Sequence, residues 1–98
     1  MQYTVYYWKD PNIISQIFLD GKKPTPETLL NTHIELGLFE APNREDLLKN
    51  MQSETMPSKI LNTIQAKQPS HTSMLEGDVV RDGKAYFIHD RLGFTRIF

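Results

Sequence analysis

The dipeptide Asp82-Gly83 constrains this chain more than any other feature. It separates two strand-like runs, Asp78-Val79-Val80 and Lys84-Ala85-Tyr86-Phe87-Ile88. An Asp-Gly between β-forming runs is the strongest short-range sign of a hairpin. Leu92-Gly93 breaks the second run, and Phe94 to Phe98 reads as a short final strand. Within residues 71–98 the chain is thus committed to a hairpin and a closing strand. An isolated hairpin is marginal in water, so the preceding residues must supply further strands and a covering layer.

The opening Tyr3-Thr4-Val5-Tyr6-Tyr7-Trp8 is entirely β-branched or aromatic and predicts a strand. Tyr3, Val5 and Tyr7 fall on one face, Tyr6 and Trp8 on the other. Such a strand is either central and covered twice, or covered once with an adhesive second face. Lys9-Asp10-Pro11-Asn12 is a turn by composition. Ile13 to Leu19 supports two readings. Pro11 and the spacing of Ile13, Ile14, Ile17 and Phe18 suit a helix, whereas three isoleucines close to a turn favour a strand paired with the first. The strand is preferred.

Gly21 to Pro24 is a loop, and Thr25 caps a short helix with Pro26 in its first turn. Thr32 to Glu40 alternates, placing Ile34, Leu36 and Leu38 on one face and Glu35 and Gly37 on the other. Asn43 opens a helix with Glu45 and Asp46 in the first turn and Leu47, Leu48 and Met51 as its stripe. Pro57 starts another, with Ile60, Leu61 and Ile64, and Pro69 ends it. At 98 residues this is a single domain spanning 1–98. The expected fold is α+β: a small antiparallel sheet of four to six strands with two or three short helices packed on one face.

The charge balance of 11 basic against 12 acidic residues argues against a dedicated duplex binder, which needs a basic face, and equally against an acidic nucleic-acid mimic. The absence of cysteine excludes disulfides, thiolate metal sites and cysteine nucleophiles. No apolar run approaches the ~18 residues of a membrane span, and Met1-Gln2-Tyr3 shows no signal-peptide pattern. A cytoplasmic protein without membrane contact is expected.

His33, His71 and His89 never stand at helical ligand spacing, and no phosphate, dinucleotide or zinc motif occurs. No cofactor, metal site or catalytic residue is assigned. His71, Ser73 and Asp78 are the one set that resembles a nucleophile and its base, yet polar groups satisfying the backbone of a turn account for them better. Two surfaces come into question. Tyr6, Trp8, Phe18 and Phe39 supply aromatic area for a protein partner, because two short helices cannot cover both faces of the sheet. Arg81, Arg91 and Arg96 with Tyr86 make a stacking surface for single-stranded nucleic acid if the hairpin and final strand share a face. A charged, solvated sheet edge explains the same arginines.

His71-Thr72-Ser73-Met74-Leu75-Glu76-Gly77-Asp78-Val79-Val80, followed by Asp82-Gly83, Ala85-Tyr86-Phe87 and Gly93-Phe94, resembles the carboxy-terminal signature of YodL-like domains. Tyr3-Thr4-Val5-Tyr6 and the helix with Glu45-Asp46-Leu47 fall in the order that family shows, while Leu75-Glu76 departs from its pattern. The resemblance implies an accessory of phages, plasmids or conjugative elements and no catalytic residue. The function expected is a small non-enzymatic protein-interaction domain of mobile-element origin, an inhibitor of a CRISPR or restriction complex being one form. A second copy of the chain is the other candidate mate, and nucleic-acid binding is the alternative.

Overall fold

The computed structural model describes residues 1–52, 54 and 56–98. In chain order the elements are β1 (Gln2–Trp8), α1 (Asn12–Phe18), α2 (Leu29–Thr32), β2 (His33–Glu40), α3 (Arg44–Gln52), α4 (Ser58–Ala66), β3 (Val79–Asp82), β4 (Ala85–Asp90) and β5 (Gly93–Arg96). The strands form one antiparallel sheet in the order β2-β1-β3-β4-β5. The α+β class and the strand number agree with expectation.

β1 is inside the sheet and covered twice, the first of the two readings its bulky faces allowed. Tyr3, Val5 and Tyr7 join Val80, Leu36 and Phe39 under Leu47 and Met51 of α3 and Ile64 of α4. Tyr6 and Trp8 join Val79 and Ile88 under Ile13 and Ile17 of α1 and Leu29 of α2. The described helices therefore number four and pack on both faces, where two or three on one face were expected. The second layer exists because residues 12–18 are helical, contrary to the strand preferred for 13–19. β2 and β3 occupy both edges of β1, so no ladder is left for a third neighbour. Ile13 and Ile17 instead use their i, i+4 spacing to bury one helical stripe.

β2 departs from simple alternation. Opposite β1, Val5 pairs with Gly37 and Tyr6 with Glu35, which leaves Leu36 as an extra residue. This bulge reverses the facing of everything after it. Leu36 stays in the core, Phe39 enters it, and Leu38 turns out to solvent with 63% exposure. Gly37 takes φ 129 at the bulge, and a side chain there would meet Thr63 of α4.

Local capping follows the sequence. Asn43 Oδ1 accepts the Asp46 N–H at 2.8 Å, and Thr25 and Thr28 exchange side chain–backbone bonds. In the hairpin Asp82 pairs with Ala85, so the turn residues are Gly83-Lys84, one position after the dipeptide that announced it. Gly83 takes φ 61 at the first central position, the conformation a type II′ turn requires there. β5 begins at Gly93, and Ile97 and Phe98 continue past its end through backbone bonds to Tyr86.

The bulge yields a discriminating pair of substitutions. Leu36→Ala is expected to cost about 2–5 kcal/mol, as a core truncation does. Leu38→Lys should stay within about 0.5 kcal/mol. Urea unfolding of both variants is the check, and equal losses would remove the bulge.

Candidate functional site

Residues 70–78 cross from α4 to β3 without regular structure, and the buried Met74, Gly77 and Asp78 within them need partners for their polar groups. The central partner is Asp78, whose side chain is fully buried. Its Oδ1 accepts the Trp8 N–H at 2.9 Å, and Oδ2 accepts the Leu75 N–H at 2.8 Å and His71 Nε2–H at 2.7 Å. Burial pushes the carboxyl above its ordinary value, and the bonds from His71, Leu75 and Trp8 pull it back.

β1 supplies most of the remaining anchors. Tyr7 OH donates to Thr72 O at 2.9 Å and Trp8 Nε1–H to Glu76 O at 3.0 Å. Burial raises the Tyr7 phenol, which keeps it a donor. The His71 ring stacks on Tyr7 at 4.4 Å between centroids and lies 4.1 Å from the Trp8 ring. His33 of β2 donates Nε2–H to Gly77 O at 2.7 Å, with Nδ1 facing the Thr32 hydroxyl at 2.7 Å. Gly77 is at φ 97, and a Cβ there would lie 3.1 Å from Trp8 Cδ1. Residues 70–78 are therefore a strap fastened across the end of β1.

His71 and Asp78 are brought together as the sequence allowed, but the serine at the imidazole is Ser70 and not Ser73. Ser70 Oγ lies 2.7 Å from His71 Nδ1 and donates to Trp8 O at 2.9 Å. With Nε2–H on Asp78, a neutral ring presents its Nδ1 lone pair to Ser70 Oγ, so Trp8 O and Nδ1 are both acceptors within reach of the single hydroxyl proton. The Ser70–His71–Asp78 line joins the strap to the backbone of Trp8 at both its oxygen and its N–H.

The surface candidates separate sharply. Tyr6, Trp8 and Phe39 are 4–6% exposed, so the core takes them and they offer no docking area, a correction to the aromatic patch. Phe18 alone of that set is open, at 40%. The arginines do not converge either. Arg81 stands opposite Tyr86 on the face of α1 and α2, with its guanidinium 5.4 Å from that ring and Nε–H on Gly83 O. Arg96 stands opposite Phe87 on the other face, and Arg91 lies in the β4–β5 turn. Adjacent strand positions point to opposite faces, so the shared-face condition fails.

What the structure assembles instead is a cleft of about 440 Å³ at the end of α1. Phe18, Ile88 and Leu92 give its apolar lining, and Lys23, Glu76 and Arg91 its charged rim. Asp90, also in the lining, accepts the Leu92 N–H at 2.9 Å and the Thr95 hydroxyl. The Thr95 bond, then the backbone bonds, hold the Asp90 carboxyl below its ordinary value. The turn is thereby fixed with Leu92 at 99% exposure on its tip. The only signal for this in the sequence was a leucine within a turn.

Two measurements test the strap. Asp78→Ala strands two backbone N–H groups and an imidazole, so urea unfolding should show a loss of about 3 kcal/mol or more. A loss under about 1 kcal/mol would mean the carboxylate is not the anchor. Burial also holds His33 below its ordinary 6.5, whereas the unfolded chain takes the proton at that value. Stability should therefore be full above 6.5 and fall as pH drops below it. His33→Gln should flatten that part of the curve; an unchanged slope would place the pH response elsewhere.

In comparison with known proteins, the chain matches no family model, no curated protein and no solved structure.

Proposed function

We propose that this chain is a small non-enzymatic protein-interaction domain that takes its partner at the Phe18–Leu92 cleft. The observation that carries this reading is the meeting of two exposed apolar side chains from distant parts of the sequence, Phe18 at 40% and Leu92 at 99%, around one concave surface. An apolar floor with a charged rim is the anatomy of a protein interface, whose centre excludes water and whose rim sets orientation. Leu92 gains most from a partner, because neither core needs it.

The polar network supports a binding reading over a catalytic one. Ser70, His71 and Asp78 are engaged in holding the strap to β1, and they are not among the residues that line the cleft. Nucleic-acid binding has less to stand on, since it retains Arg81 and Tyr86 but loses the cooperation of Arg91 and Arg96. The resemblance to YodL-like domains of mobile elements makes a host defence complex, CRISPR or restriction, the partner class to test first.

The experiment is affinity capture from a host lysate with the wild-type chain and with Phe18→Ser/Leu92→Asp. The double variant should fold with nearly unchanged stability, since both side chains are outside the cores, and should lose the partner. Equal capture by wild type and double variant would dismiss the cleft. Recovery of nucleic acid in place of protein would dismiss the reading as a whole.

A further inference from the structure

The sheet has two edges, and they are built differently. β2 is bulged at Leu36, with α4 packed beside it. A bulge interrupts the row of edge groups and discourages strand addition. β5 pairs with β4 from Gly93 to Arg96 without a register shift, and only beyond it do Ile97 and Phe98 both oppose Tyr86, so its outer row is regular over Gly93–Arg96. The phase of that row follows from the ladder. Asp90 and Gly93 close the two-residue turn, and Ile97 N–H donates to Tyr86 O at 2.8 Å. Residues 93, 95 and 97 thus turn their backbone groups toward β4, and Phe94 and Arg96 turn theirs outward.

We infer that the chain self-associates through this edge, two copies joining antiparallel about a two-fold axis at Thr95 to make one ten-stranded sheet. Self-complementarity selects the mate and the register. With Thr95 opposite the partner's Thr95, Phe94 and the partner's Arg96 become a hydrogen-bonded pair, and Arg96 and the partner's Phe94 another. Phe94 and Arg96 point to the same face, so each guanidinium comes beside the partner's aromatic ring, a favourable cation–π arrangement. Among the described residues the Arg96 side chain makes one hydrogen bond, exposed and 3.4 Å long, to Phe98 O, which a partner's ring can displace.

Other registers are poorer. Arg96 opposite the partner's Arg96 sets like charges face to face. Phe94 opposite the partner's Phe94 carries Arg96 past the strand to the partner's turn. In the Thr95 register the axis is perpendicular to the sheet, so both clefts lie on one face and flank it. Dimerisation does not depend on the cleft having a partner, and its test reads only the mass of the protein itself.

The chain has no cysteine, which makes single-cysteine variants clean reporters. At the axis, residue 95 and its mate form a non-hydrogen-bonded pair about 4.5 Å apart at Cα. That separation lies within the ~4.4–6.8 Å a disulfide spans. Thr95→Cys should form a covalent dimer under mild oxidation, at least about tenfold faster than Leu38→Cys on the bulged edge. Because Thr95 also bonds Asp90, a second readout leaves it intact: sedimentation of the wild-type chain should show a dimer, weakened about tenfold or more by Arg96→Glu and less by Arg96→Lys. A wild-type monomer across the concentration series, equal cross-linking at residue 38, or a dimer indifferent to Arg96→Glu would each overturn the inference.

Discussion

Asp78 has no contact with solvent, and its two oxygens accept from Trp8 at the end of β1 and from His71 and Leu75 in the strap of residues 70–78. The bond to Trp8 joins residues 70 apart in sequence, and it sits where β1 ends and β3 is about to begin. A buried carboxylate is costly unless its lone pairs are filled, so this arrangement forms as a unit or not at all. Around it the strap of residues 70–78 is fixed residue by residue, with Tyr7, Trp8 and His33 as the other anchors. The position of β3 beside β1, and with it the hairpin and β5, depends on that strap.

β1 is the second common element. Its aromatic side chains enter both cores, so the two helical layers are joined through one strand and not through each other. This economy has a consequence for the surface. Three of the aromatic residues that look available for a partner are consumed in making a 98-residue domain stable, because each buries a large apolar area that a small core cannot spare. The exposed apolar area that remains is peripheral, and Phe18 at the end of α1, Leu92 on a turn and Phe98 beyond β5 lie toward the β4–β5 side of the molecule. The cleft and the edge of β5 are therefore neighbouring features of one region, with Thr95 in the cleft lining and on the edge strand alike.

The Ser70–His71–Asp78 line ties the strap to the end of β1. The acid holds backbone, the imidazole fills the space between Tyr7 and Trp8, and the hydroxyl reaches a strand carbonyl.

Local chemistry alone determined the β1 strand, the Asn43 cap, the two helices after it, and the hairpin at Gly83, because each rests on backbone preferences of neighbouring residues. Three decisions belonged to the tertiary structure. Residues 12–18 became helix because both edges of β1 were already taken, a fact about β2 and β3 that the isoleucines cannot express. Leu38 left the core because one residue of slack at Leu36 reversed the pleat, and alternation read along a single strand does not register its partner. The arginines parted because strand neighbours point to opposite faces, while Phe18 and Leu92 met across 74 positions only when α1 and the β4–β5 turn were folded against the same side of the sheet.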